Sequence, residues 1–352
     1  MQQQLLTGID YKGFKAMTKL FQILTLIVLT TLMSACNKAI DKERTPVVDA
    51  KLTLLGYQAK QAQINNHAFR YVEAGNGELI LFLHGFPFFG ESWDKLLKPL
   101  SQQYRVIAPD GRGYGYSDKP ELIEDYKIEQ LVNDVQQFIF TFANSKSQKV
   151  TLVGHDWGGV LAWGVAQQYP ELINKVVVIN APPFNAFLSS LVGNHSQREA
   201  SHYIPKMTGL IAKAYFMYKG EDVFWGASLE NMYQAGHIDE SFKKTFLASW
   251  QQPRAVTSAV NWYKANIPAF DDINESTYWP PRQASLENKI KVPSLLIWSK
   301  DDKAFTDDTF NEIPKFVDNM QIKIIDTDSH APQLDHSEEV LGYIVDFLQP
   351  SK

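Results

Sequence analysis

The sequence predicts an α/β fold, a mostly parallel sheet with helices on both faces and one inserted helical cap. Three observations carry that expectation. Short runs at 79–83, 105–109, 149–153 and 175–179 are rich in leucine or β-branched residues and look buried rather than alternating, as strands covered on both faces do. Helix-like stretches at 128–142 and 160–168 lie between them, and strand-helix-strand order calls for parallel pairing with crossover helices. After Asn180 the rhythm breaks, then returns with strand-like runs at 294–298 and 321–325 and a closing helix over 338–348.

Composition fits such a domain. Hydrophobic residues make up 45% and charged residues 21% of the 352, which suits an ordinary globular chain long enough for one core with an insertion. A net charge of -5 and the absence of any basic stripe argue against a nucleic-acid partner. A small molecule is the expected partner.

Residues 1–35 read as an address. Lys12, Lys15 and Lys19 precede an apolar run at 20–33, which is shorter than the ~20 residues of a spanning helix and suits a signal-peptide core. Leu32-Met33-Ser34-Ala35-Cys36 resembles a bacterial lipobox, which implies cleavage before Cys36 and lipidation of its thiol. A single-spanning anchor is the alternative. Met17 makes a more compact start than Met1, with one lysine ahead of the run. Removing 1–35 takes three lysines and Asp10 from the 34 basic and 39 acidic residues, leaving 31 and 38. The expected product is an exported, membrane-anchored lipoprotein of the cell envelope, facing the periplasm or the cell exterior. Cys36 is the one cysteine, so no intramolecular disulfide or cysteine-based metal site can form.

The polar stretch 36–50, with Pro46, reads as a tether. The core is expected over 51–181 and 288–352. Between them, 182–287 carries helix-like segments rich in aromatics, among them Tyr215, Tyr218, Trp250, Trp262 and Tyr263, without strand-like runs, and is taken as the cap.

The chemistry concentrates at Gly154-His155-Asp156-Trp157-Gly158-Gly159. A strand before it and a helix after it make a nucleophile elbow, the signature of the α/β-hydrolase fold, in which glycines two before and two after the nucleophile relieve a sharp turn. Asp156 stands where an esterase carries serine. A carboxylate of reference pKa ~3.9 is charged at neutral pH and attacks saturated carbon without activation, giving an ester that a histidine and an oxyanion hole can hydrolyse. Serine attack on an epoxide would leave an ether. His84-Gly85-Phe86-Pro87 follows a strand directly, so the Phe86 and Trp157 amides are the expected oxyanion donors. His330 in Asp328-Ser329-His330 is the base, and Asp302, after the strand ending at Trp298, is its orienting acid in preference to Asp301. Asp326 and Asp328 are too near His330 in sequence to face it. No histidine shows metal-ligand spacing, so neither metal nor cofactor is expected.

With these residues the chain resembles the epoxide hydrolases of the α/β-hydrolase fold through most of 67–349. The matching stretches are His84-Gly85-Phe86-Pro87 with Ser92-Trp93, Asp110-Gly111-Arg112-Gly113-Tyr114-Gly115 with Ser117, the Asp156 elbow, Asn261-Trp262-Tyr263-Lys264 and the His330 loop. Phe88 departs from the acidic residue common there in the family. The resemblance implies opening of a lipophilic epoxide to a vicinal diol through an aspartyl ester, with water as co-substrate. It also implies cap tyrosines that protonate the leaving oxygen: Tyr263 by direct match, and Tyr215 as the nearest fit to the first, with Tyr218 as its rival. Haloalkane or haloacid dehalogenation is the alternative, because dehalogenases share fold, nucleophile and histidine. Many of those carry asparagine where this chain has Phe86, although the Trp157 indole is a donor of the kind that holds halide. A tethered binding protein without activity is the rival from another class, since fold alone never establishes function.

Overall fold

A computed structural model describes residues 53–54, 56–145, 147–192, 195–209 and 222–349. The signal segment, the tether, Cys36, Tyr215 and Tyr218 all lie outside the described residues.

Ten strands form. A small antiparallel pair, β1 (Thr53–Leu54) with β2 (Tyr57–Gln58), precedes the main sheet of β3 (Lys60–Ile64), β4 (His67–Ala74), β5 (Leu79–Leu83), β6 (Arg105–Pro109), β7 (Val150–His155), β8 (Ile173–Ile179), β9 (Ser294–Ser299) and β10 (Met320–Ile325). Its order is β10-β9-β8-β7-β5-β6-β4-β3. From β6 through β5, β7, β8 and β9 to β10 every pairing is parallel, and β4 and β3 add antiparallel partners at one edge. The antiparallel strands are the part of the sheet that the apolar runs did not announce. β3 is mostly exposed, so its sequence lacks a continuous apolar signature. Asn65 and Asn66, both at positive φ, form the two-residue hairpin turn between β3 and β4.

The central strands β5 and β7 are buried at every position because helices cover both faces. Leu79, Leu81 and Leu83 join one core layer while Ile80 and Phe82 enter the other, as the two-residue period of a strand requires. On the first face lie α2 (Ile128–Phe142) and α3 (Trp157–Gln168); on the second lie α1 (Asp94–Leu100) and the closing helix Ser337–Leu348. The described part of the segment between β8 and β9 carries helices joined by turns and no strand, from Phe184–Leu191 to Glu275–Glu287.

The elbow joins β7 to α3. The helix begins at Trp157 rather than at the expected 160, because the Val160 amide donates to the Asp156 carbonyl at 2.9 Å and pulls the first turn up to the nucleophile. That leaves no room for side chains around the turn. A Cβ on Gly158 would lie 1.9 Å from the Leu83 carbonyl oxygen, and one on Gly154 would lie 2.4 Å from the Gly158 oxygen. Gly158→Ala must therefore push α3 off β5. The expected loss is about 3 kcal/mol of unfolding free energy in urea titration, the upper end of ordinary overpacking, and a loss under 0.5 kcal/mol would contradict this packing.

Candidate active site

The candidate groups other than the cap tyrosines sit at the carboxyl ends of parallel strands, where open α/β sheets bind ligands at the point where strand order reverses. Here the reversal falls between β5 and β7. Phe86 follows β5, Asp156 follows β7, Asn180 follows β8, Asp302 follows β9 and His330 follows β10.

Asp156 has φ +50° and ψ -125°, a conformation that costs a non-glycine residue roughly 1–3 kcal/mol and is held by the packed strand and helix on either side. It lifts the carboxylate out of the turn. Oδ1 accepts the Phe86 amide at 2.7 Å, and the Trp157 amide, first in α3, also hydrogen-bonds the carboxylate. Gly85 makes the approach possible, since a Cβ there would lie 2.2 Å from Oδ1. Oδ2 lies 3.6 Å from His330 Nε2. The two oxygens therefore have different surroundings, one held by backbone amides and the other facing the imidazole.

His330 Nδ1 bonds Asp302 Oδ2 at 2.8 Å, and Asp302 Oδ1 in turn accepts the Ala304 amide at 2.7 Å. Asp302 rather than Asp301 thus faces the histidine, while Asp326 and Asp328 pair with Lys300 and Lys303. Burial opposes a charged imidazole, but the Asp302 charge and the hydrogen bonds to Asp156 and Asp302 outweigh it and push the His330 pKa up to about 10. Burial likewise tends to raise the Asp156 carboxyl. The His330 contact and charge, with help from the Trp157 amide, hold it below its ordinary value. Resting Asp156 and His330 form an ion pair.

Two residues that the motif reading passed over fix the His330 loop. Asn180, fully buried at φ +43°, donates through Nδ2 to the Ser329 and His330 carbonyls at 3.1 and 3.0 Å and accepts the Ser299 amide at 2.7 Å. His155, inside the elbow, bonds the same His330 carbonyl through Nε2 at 2.8 Å. A carbonyl only accepts, so His155 Nε2 carries the proton. Burial and the neighbouring His330 charge lower the His155 pKa to about 4, which keeps the ring neutral.

The cap supplies the phenols. Tyr263 lies on Ala255–Asn266, a helix docked by Trp262 Nε1 donating to the Arg112 carbonyl at 2.8 Å and by Asn266, which accepts the Ile128 amide and donates to the Tyr126 carbonyl. The Arg112 backbone is fixed in turn by a buried bidentate pair with Asp134. Beside Tyr263 stands Tyr203, hydrogen-bonded to it, with ring centroids 6.2 Å apart. Tyr215 and its rival Tyr218 lie outside the described residues, and Tyr203 is not among the sequence candidates. Its neighbours in sequence offered no motif, so only tertiary packing identifies it. Burial, and then the nearby Asp156 charge, raise the Tyr203 pKa, and burial with Tyr203 and Asp156 raises that of Tyr263. Both stay protonated. The Trp157 indole packs edge-on against the Tyr263 ring, with centroids 5.2 Å apart.

A cavity of about 570 Å³ is lined by Asp156, His330, Tyr203, Tyr263 and Phe86, and it falls within the usual range for small-molecule sites. A charged nucleophile, a histidine with its acid, two amide donors and two phenols meet in it.

The α/β-hydrolase fold family matches residues 78–337. Mouse epoxide hydrolase 4 is 31% identical over 290 residues, which cover 80% of this chain and 76% of that protein. The chain is an epoxide-hydrolase-like member of the α/β-hydrolase family. AB hydrolase superfamily protein YfhM of Bacillus subtilis is 32% identical over 311 residues, covering 84% of this chain and 99% of that one. Among solved structures, a Bacillus megaterium epoxide hydrolase in complex with an inhibitor aligns with a TM-score of 0.75 at 29% identity, covering 82% of this chain and 99% of that one.

The electrostatics of this α/β-hydrolase site give a direct test. His330 binds its proton more tightly in the fold than its ordinary value of 6.5 allows, so the pairing stabilises the protein fully below that pH and is lost as pH rises through about 10. Asp302→Asn removes the strongest of the groups that raise it. In an NMR titration the His330 midpoint should fall by at least one unit, and an unchanged midpoint would mean that Asp302 does not hold the imidazolium.

Proposed function

We propose that the protein hydrolyses a lipophilic epoxide to a vicinal diol through a covalent ester on Asp156. The observation that carries this reading is the division of the Asp156 carboxylate, with Oδ1 on the Phe86 amide and Oδ2 open toward His330 and the cavity.

In the first step Oδ2 attacks a ring carbon, the C–O bond breaks, and Tyr203 or Tyr263 protonates the alkoxide as it forms. Charge leaves Asp156 at that moment. The ester no longer holds the His330 proton, so the imidazolium passes its proton, directly or through water, to the phenolate and becomes a base. His330 then takes a proton from water as the oxygen attacks the ester carbonyl. Negative charge collects on Oδ1, already held by the Phe86 amide and close to the Trp157 amide at the start of the helix, where fixed dipoles stabilise it without reorganisation. Collapse expels the second diol oxygen, which leaves with the imidazolium proton. The regenerated Asp156 carboxyl returns its proton to His330, and epoxide plus water has become diol with no net change in the enzyme.

Three features favour epoxide over halide. Two phenols converge on the cavity, and an alkoxide needs a proton donor where a halide does not. The Trp157 side chain, the donor that would hold a halide, is packed edge-on against Tyr263. The relatives at about 30% identity include named epoxide hydrolases.

We also propose export and lipidation at Cys36. Fatty-acid labelling should mark the wild type and not Cys36→Ser, and equal labelling would refute it.

Two measurements test the cycle. His330→Gln, exposed to an epoxide panel, should stop as the ester: its intact mass should rise by one whole epoxide, and Asp156→Ala should gain nothing. Normal multiple turnover by His330→Gln would remove His330 from the mechanism. In the wild type, ester formation needs an ionised Asp156, whose pKa is lowered, while hydrolysis needs a neutral His330. Falling pH therefore slows the second step first, and rapid-quench mass spectrometry should find a larger ester fraction at pH 5 than at pH 8. A fraction that stays constant would contradict this assignment.

A further inference from the structure

Two unequal spaces open from the nucleophile, and resting on the epoxide reading above they define a class of substrate. The larger, about 570 Å³, passes Phe86 and Met232 and includes Asn231, Lys303 and Asp335 in its wall. A smaller one, about 30 Å³, is walled by Trp157, Val160, Phe184, Phe187, Ile267 and Phe305. Asp156, Tyr203 and Tyr263 line both. An epoxide whose oxygen meets the phenols and whose carbon meets Asp156 thus sits at the junction, with one substituent directed into each space.

The sizes separate those substituents. One water needs roughly 10–15 Å³ of such space, so the small lobe holds about two heavy atoms. A hydrogen, a methyl or an ethyl fits, whereas a longer chain or a ring would have to displace packed aromatic side chains. Its apolar walls also exclude a polar group there, for which Val160, Phe184 and Ile267 offer no partner.

Charge restricts the long arm. Asp156 and Asp335 both line the larger space, and the Asp335 side chain is only 10% exposed, against His336 at 2.9 Å. The cations among its described lining residues are already matched: Lys303 lies 3.6 Å from Asp328, and His330 lies against Asp302 and Asp156. An anionic arm would enter a partly desolvated, acid-lined space in which the described residues offer no unmatched cation.

We propose that the substrate is an uncharged epoxide in which one ring carbon bears a hydrogen or a substituent of one or two carbons and the other bears a long arm. Four probes built on a ten-carbon chain test this: 1,2-epoxydecane, 5,6-epoxydecane, 9,10-epoxydecanoate and the methyl ester of that acid. The expected kcat/KM is at least 10-fold higher for 1,2- than for 5,6-epoxydecane, and at least 10-fold higher for the ester than for the acid. Ile267→Ala, which enlarges the small lobe, should narrow the first gap, with Phe187→Ala as a second enlargement should that variant fold poorly. Equal kcat/KM for the two epoxydecanes in the wild type would overturn the assignment of the lobes, and equal values for acid and ester would overturn the exclusion of charge. The outcome that defeats the epoxide reading itself is different: no turnover of any probe and no mass adduct on His330→Gln.

Discussion

The hydrogen bond from the Phe86 amide to Asp156 Oδ1 is the contact on which the rest of the site depends. It joins the ends of β5 and β7 across the reversal of strand order, and it exists only because Gly85 has no side chain and Asp156 accepts a positive φ. With Oδ1 held, Oδ2 is the oxygen that attacks in the proposed cycle. The Phe86 amide that holds Oδ1 in the resting state would also receive the oxyanion. Under that proposal ground state and intermediate share this donor, and no backbone has to move between the two steps.

Rigid and assembled parts divide the work. Asp156, Phe86, Asp302 and His330 stand on strand ends of the buried sheet, with Asn180 and His155 fixing the backbone of the His330 loop. The phenols come instead from helices between β8 and β9, docked on the core by the indole N–H groups of Trp262 and Trp250 bonding the Arg112 and Pro87 carbonyls. Such an arrangement keeps the bond-breaking geometry constant while the cap sets the shape of the cavity. In the proposed cycle protonation follows the covalent state: the ion pair of Asp156 and His330 at rest becomes a neutral ester beside a histidine free to act as base.

Much of this was legible in the sequence because sterics leave few alternatives. Glycines around Asp156 at fixed spacing, between an apolar run and a helix, identify the elbow, and the contacts of Gly154 and Gly158 give the reason. The preference for Asp302 over Asp301 followed from its distance beyond the strand. The antiparallel edge was less visible because β3 buries little, although Asn65-Asn66 was a hairpin signal. Tyr203 was not legible. Helical cap segments rich in aromatics offer many tyrosines and no local rule for which one meets Asp156, so the choice rests on tertiary packing. Asn180 and His155 escaped for the opposite reason: each looks like part of a strand end or an elbow, and the role appears only when the His330 carbonyl arrives from far along the chain.

The most direct test of the central claim is a single turnover in ¹⁸O-water with enzyme in excess over epoxide. Attack by Asp156 sends its own Oδ2 into the diol and leaves the oxygen of water on the carboxylate. The expected result is an unlabelled diol and a gain of one ¹⁸O in the peptide that contains Asp156. Label in the diol and none in that peptide would mean that water attacks the epoxide directly, and the covalent role of Asp156 would be contradicted.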